Sequence, residues 1–242
     1  GNPFLANGQS ALFYPFNALF WLSDVKRAFG LSAVLHLVLG AWFTYLFLRA
    51  LRAGRFGAAV GAVAFSLNGY LISWLYLPTV LNSAIWLPLG LLMAEKYYVR
   101  RRFYFALGAG AALGLSALGG HPQIFLLCAG FFAVYFILRG LSRKQYLRGA
   151  AGLASAGAFA FMTSAVQLLP MIEFLPYSHR ASAGALQGYD FYLRWALPWQ
   201  NLTTLFAPDF FGNPTLATFW GKGNYAEYCL YAGILPLLFA GL

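Results

Sequence analysis

Residues 31–55, LSAVLHLVLGAWFTYLFLRALRAGR, decide the class of this chain. From Leu31 to Leu48 there is no Asp, Glu, Lys or Arg, and then Arg49, Arg52 and Arg55 follow in quick succession. An apolar run of roughly twenty residues is what a helix needs to cross a bilayer, and a cationic gap at its end marks the side on which cations are retained. The rest of the chain repeats the pattern. Lys96, Arg100, Arg101 and Arg102 fill a second gap, and Arg139, Arg143, Lys144 and Arg148 a third, with Glu95 as the lone acid among these eleven cations. Elsewhere Lys26, Arg27, Arg180, Arg194 and Lys222 are balanced by Asp24, Glu173, Asp190, Asp209 and Glu227. The formal net charge of +10 therefore sits on one side. The positive-inside rule makes that side the cytoplasm, and function is expected on the opposite, charge-balanced face.

Composition excludes an ordinary soluble domain, because 61% of residues are hydrophobic and 9% charged, where soluble domains carry about 25% charged residues. The sequence pI of 9.8 does not point to nucleic acid: the cations form short juxtamembrane clusters, which read as topology signals and contacts to anionic membrane lipids. Cys128 and Cys229 form no framework of bridges, and no metal-ligand spacing is present.

In lipid, an apolar run must satisfy its backbone internally, so these runs are read as helices. The expected fold is all-α: a polytopic transmembrane bundle with six full spans at about 31–51, 56–76, 80–96, 103–119, 122–139 and 147–170. Residues 1–30 form an outer-face loop with an interfacial helix near 11–22, Pro15 marking its start or a break. Residues 171–227 form a long outer-face loop, and residues 228–242 begin a seventh span. Neither end resembles a natural terminus, so the chain is expected to be a fragment. Gly57 with Gly61, and Gly110 with Gly114, are small-xxx-small pairs that let helices approach. The span at 103–119 is expected at the bundle centre. No internal repeat supports an inverted-repeat transporter.

With this orientation, His36, Asn68, Tyr70, Trp74, Asn82, Ser83, His121, Gln123, Gln167 and Glu173 all fall near the outer ends of spans. Polar groups at membrane depth face a cavity or one another, and Asn68 and Asn82 are read as cavity-lining. In Gly119-Gly120-His121-Pro122-Gln123 a tight turn presents an imidazole and an amide, suited to a phosphate or to proton transfer; the alternative is a turn histidine bonded to a carbonyl. His179 with Arg180 suits an anion clamp, or else Arg180 pairs with a neighbouring acid. Pro208-Asp209-Phe210-Phe211-Gly212 and the segment 220–227 are aromatic enough to fold over the cavity or lie on headgroups, with Asp209, Lys222 and Glu227 as polar contacts. Asp209 alternatively caps a turn.

Several of these segments carry a resemblance. The opening Gly1-Asn2-Pro3-Phe4-Leu5-Ala6-Asn7-Gly8-Gln9-Ser10-Ala11-Leu12-Phe13-Tyr14-Pro15, then Leu35-His36-Leu37, Ala84-Ile85-Trp86-Leu87-Pro88, Gly120-His121-Pro122-Gln123, Ser178-His179-Arg180 and the stretch 208–212 resemble the bacterial YfhO-like polytopic membrane proteins, essentially from end to end. That family is similar to the GT-C class of membrane glycosyltransferases. The resemblance implies transfer of a sugar from a polyprenyl-phosphate donor to an envelope glycan or lipid acceptor, at the outer face of the bacterial cytoplasmic membrane. It also implies a catalytic acid upstream of the Gly1–Asn7 segment. A divalent-cation requirement stays open, and no metal ligand is assigned.

Such a reaction needs a carboxylate to deprotonate the acceptor hydroxyl, donors to stabilise the departing phosphate, and an apolar groove for the lipid. Glu173 and Asp209 are the candidates to assist the first. His121, Gln123, His179, Arg180 and Lys222 are the candidates for the second. A transporter or flippase of a lipid-linked or anionic solute would use the same cavity, and a structural partner in an envelope assembly is a third reading.

Overall fold

Helix boundaries follow from local chemistry that lipid-like hydropathy does not reveal. The computed structural model describes residues 3–177 and 196–240, and all regular elements among them are helical. Pro15 opens a 3-10 turn, Pro15–Ala18, that runs directly into α1 (Leu19–Leu22); the proline marks the start. Asp24 then accepts from the Arg27 amide at 3.1 Å and caps α2 (Val25–Ala50).

Two expected spans are broken. Over 56–76 the chain forms α3 (Arg55–Ser66) and α4 (Gly69–Ser73). At the junction the Asn68 side chain donates to the Phe65 carbonyl at 2.6 Å and accepts from the Leu71 amide at 2.8 Å, offering the backbone a competing set of partners. Over 80–96 the chain forms α5 (Pro78–Ala84) and α6 (Trp86–Arg100). Pro88 lacks the amide that would bond the Ala84 carbonyl, so the two helices meet at a break. α6 closes on Arg101 in the left-handed conformation, φ 54°. After α7 (Tyr104–Leu118), Gly119 and Gly120 turn the chain, Gly120 at φ +88°.

Pro122 starts α8 (Pro122–Ser142), and α9 (Tyr146–Phe174) follows. α9 was expected to stop at Pro170 but carries that proline internally, a single lost bond that long apolar helices tolerate. From residue 196 onward come two 3-10 turns, Trp199–Leu205 and Pro214–Leu216, then α10 (Tyr225–Tyr228) and α11 (Ile234–Ala240). The helix expected from 228 starts at Ile234, after Gly233 at φ +96°.

Four helical stretches are long and apolar enough to cross a membrane: Val25–Ala50, Arg55–Ser73, Pro122–Ser142 and Tyr146–Tyr177. They make this a membrane protein by length and composition. α6 and α7, at 15 residues each, reach only about 22 Å at 1.5 Å per residue. They are the inner members of the bundle. Ala106, Ala109 and Ala112 of α7 are all sealed from solvent, and a Cβ at Gly110 would lie 2.5 Å from the Ala156 carbonyl of α9. Gly110 and Gly114 both face α9. The other small pair divides: Gly61 lies against Leu48, whereas Gly57 has nothing within 4 Å.

The three cationic hairpins gather at one end. Glu95, 3% exposed, accepts from Arg139 Nε at 2.6 Å, Arg143 at 2.9 Å and the Tyr135 hydroxyl at 3.0 Å. Arg148 lies over the Tyr97 ring, and the Tyr97 hydroxyl donates to its carbonyl at 2.9 Å. Phe47, beside Arg49, meets the Tyr135 ring edge-on at 5.7 Å. A core of Tyr98, Phe132 and Phe136 sits above this end, and a second core around Tyr14, Leu81, Ile85 and Trp86 fills the other.

Candidate functional site

At the end opposite the cations, four segments distant in sequence converge. The N-terminal loop is pinned by a directed chain of hydrogen bonds. His36 Nδ1 lies 2.6 Å from the Ser32 carbonyl, which can only accept, so Nδ1 carries the proton. Nε2 therefore accepts from the Tyr14 hydroxyl at 2.7 Å, and the Tyr14 oxygen in turn accepts from the Trp86 indole at 3.1 Å. Burial pushes the Tyr14 phenol up, with the Trp86 donor opposing, so it stays a neutral donor. His36, read from sequence as facing either a cavity or another polar group, is fully buried and does the second, as a structural link. Gln167 of α9 closes the loop from the far side, its amide nitrogen 3.0 Å from the Leu5 carbonyl.

The Gly119–Gly120 turn fits beneath this loop because it lacks side chains. A Cβ on Gly119 would meet the Asn82 and Ser83 backbone at 2.7 Å, and one on Gly120 would meet Ala11 at 2.8 Å and Thr79 at 3.0 Å. Ser83 ties the pieces together, accepting from the His121 amide through its hydroxyl at 3.2 Å and from the Ser116 hydroxyl through its carbonyl at 2.7 Å.

Between loop and helices lies a cavity of about 310 Å³, lined by Gln9, Ser10, Asn17 and Trp21 from the N-terminal segment and by Thr79 and Asn82 of α5. Ser10 Oγ, Thr79 Oγ1 and Asn82 Oδ1 are enclosed within the protein around it, with no accessible surface and no hydrogen-bond partner.

The sequence-derived candidates distribute unevenly around this cavity. Asn82 lines it, at 3% exposure. Asn68 does not, since both ends of its amide are engaged at the α3–α4 break. His121 is half-buried on the adjacent turn and its Nδ1 accepts from the Ile124 amide at 3.3 Å, capping α8; Gln123, two residues on, is exposed. Glu173 is exposed at the end of α9.

Asp209 is exposed on the later segment, where Oδ1 accepts from the Tyr225 hydroxyl at 2.7 Å and from Asn213 at 3.0 Å. Burial and this carboxylate together push the Tyr225 phenol up. Asp209 thus staples its loop together. Lys222 is exposed. His179 and Arg180 lie outside the described residues. Among the described residues, no cluster of His, Cys, Asp and Glu is arranged to hold a metal.

The places of Ser10, Thr79 and Tyr14 at this site escaped sequence reading. Thr79 and Asn82, three apart on one helix, share a face, which was a readable signal; Ser10 joins them only through tertiary folding. No family model, curated protein or solved structure gives a significant match to this chain.

Proposed function

We propose that this chain belongs to a multi-span protein of the bacterial cytoplasmic membrane that transfers a sugar from a polyprenyl-phosphate donor to an envelope glycan or lipid acceptor, resembling the YfhO-like and GT-C-type proteins. In this reading six passes are made by α2, α3 with α4, α5 with α6, α7, α8 and α9, and α11 begins a seventh. The cationic hairpins lie in the cytoplasm and the cavity faces outward. The observation that carries the reading is the convergence of the N-terminal loop, α5, the Gly119–His121 turn and the end of α9 at the end away from the cations.

His121, Gln123, His179, Arg180 and Lys222 stabilise the departing phosphate, and Glu173 with Asp209 orients or helps deprotonate the acceptor. Between the level of Glu95 and Arg139 and that of Glu173, the long helices carry no Asp, Glu, Lys or Arg. A path for an anionic solute through the membrane would be lined by such groups, which favours transfer over transport.

The test is a transfer assay in lipid vesicles with a radiolabelled polyprenyl-phosphate sugar and envelope acceptors. His121→Asn keeps a good helix cap while removing the imidazole, and transfer is expected to fall by about tenfold to a hundredfold, within the usual contribution of a positioned acid or donor. Unchanged transfer in His121→Asn and in Arg180→Ala removes both from the site. Donor binding without turnover in any acceptor mixture replaces transfer with flipping.

A further inference from the structure

We infer that the groove between α8 and α9 at the cationic end binds one molecule of an anionic phospholipid, with an acyl chain in the groove and the phosphate at Lys144. The groove holds about 270 Å³. Leu141 of α8 forms one wall, and Tyr146, Ala150 and Leu153 form the other, spaced along a single face of α9. Leu141, Tyr146 and Ala150 are exposed, so they are free to touch an occupant that arrives from the bilayer.

The groove exists because two glycines face each other across the helix pair. A Cβ on Gly140 or on Gly149 would come within 2.9 Å of the Tyr98 hydroxyl, and would lie 3.8 or 3.7 Å from the other glycine's Cα. Tyr98 closes the floor, its hydroxyl already donating to the Phe136 carbonyl at 2.7 Å. Apart from the two tyrosines, every lining residue carries a hydrocarbon side chain or none. Such a lining suits a chain of methylenes and gives a polar occupant little to bond.

The hairpin that joins the two helices supplies the charge. Lys144 is exposed, three residues after Leu141 and two before Tyr146, and makes no ion pair among the described residues. Glu95, the one acid among these hairpins, is taken by Arg139 and Arg143, so the cation beside the groove lacks a counter-charge. Its backbone is left-handed at φ 54°, a position after a helix where glycine is the usual residue. The chain thus places a cation where glycine would sit more easily. α9 begins beside it with no acid in its first turn and no side-chain cap, and the helix dipole adds to the attraction for a phosphate. Tyr146 at the mouth stands where aromatic rings meet the headgroup layer. A zwitterionic lipid would bring its own cation to this end, and a second copy of the chain would set like charge against like.

This inference is independent of sugar transfer. The test is native mass spectrometry of the whole chain, stripped of lipid in detergent and titrated with phosphatidylglycerol or with phosphatidylcholine of the same acyl chains. One phosphatidylglycerol is expected to bind at about fivefold lower concentration, the scale of one cation at a membrane surface. Ala150→Trp fills the groove from its open side and is expected to remove this tight site. Lys144→Gly relaxes the left-handed turn, so the fold is kept, and is expected to bring phosphatidylglycerol down to the level of phosphatidylcholine.

Arg52→Gly, the same exchange at a left-handed cation on the α2–α3 hairpin, φ 69°, is expected to change nothing. Glycerol phosphate, a headgroup without chains, is expected not to compete. Equal binding of the two lipids, or a tight site that survives Ala150→Trp, overturns the inference. Equal losses in Lys144→Gly and Arg52→Gly reduce it to diffuse attraction and overturn it as well. Competition by glycerol phosphate, or a second copy of the chain as the bound mass, assigns the place to another occupant.

Discussion

A hydroxyl at position 14 is both acceptor for the Trp86 indole and donor to His36, and removing it leaves the rings packed while stranding two buried nitrogens. Tyr14→Phe is expected to cost about 2–3 kcal/mol, the penalty for leaving buried polar groups unpaired, read as a lowered thermal midpoint in detergent. Little change would mean that the loop is held by its ring packing alone. Tyr14 read in sequence as one aromatic among several in an interfacial loop, because nothing in its neighbourhood reveals a partner 22 or 72 residues away. His36 was conspicuous as an imidazole in an apolar run, yet the sequence did not distinguish cavity edge from sealed interior; that depends on which loop covers it. Asn82 was legible as a polar residue that must face a cavity or a partner, and Asn68, with the same side chain, turned out to be spent on a helix break.

Glycine spacing shows how far an element can be read. A pair four apart shares a helix face, but whether a neighbour occupies that face is a property of the fold. Gly110 meets α9 with backbone close enough that Gly110→Ala places a methyl 2.5 Å from a carbonyl oxygen; separation of the helices should cost about 1–3 kcal/mol, as overpacking usually does. Gly157 of α9, with nothing within 4 Å, is the control: Gly157→Ala should be neutral or slightly stabilising from helix propensity. Equal effects at the two positions, measured by thermal unfolding in the same detergent, would contradict the α7–α9 packing. The broken spans had visible causes too. Pro88 and Asn68 stand in the sequence, but hydropathy over a window of about nineteen residues averages across such interruptions.

On the scale of the whole molecule, the charge map and the fold agree that the cationic hairpins share one end, and the proposed sidedness makes a direct prediction. With the native cysteines buried, Gln123→Cys should react with an impermeant maleimide added to intact spheroplasts, and Lys144→Cys only after permeabilisation. The opposite pattern would invert the membrane orientation and with it the site. Segregation of charge was legible because it depends only on order along the chain; the cavity was not, because its wall is built from residues about seventy positions apart.

Glu95 adds a constraint on how the protein is made. Its carboxylate enters the membrane region with α6, but its partners Arg139 and Arg143 are supplied 44 and 48 residues later, at the end of α8. Until those arginines leave the ribosome, the acid lacks the partners it is buried with, and burying a carboxylate without them is costly. α6 must therefore linger at the water boundary, or in the shelter of the insertion machinery, until α8 arrives: the second half of the bundle seats the first.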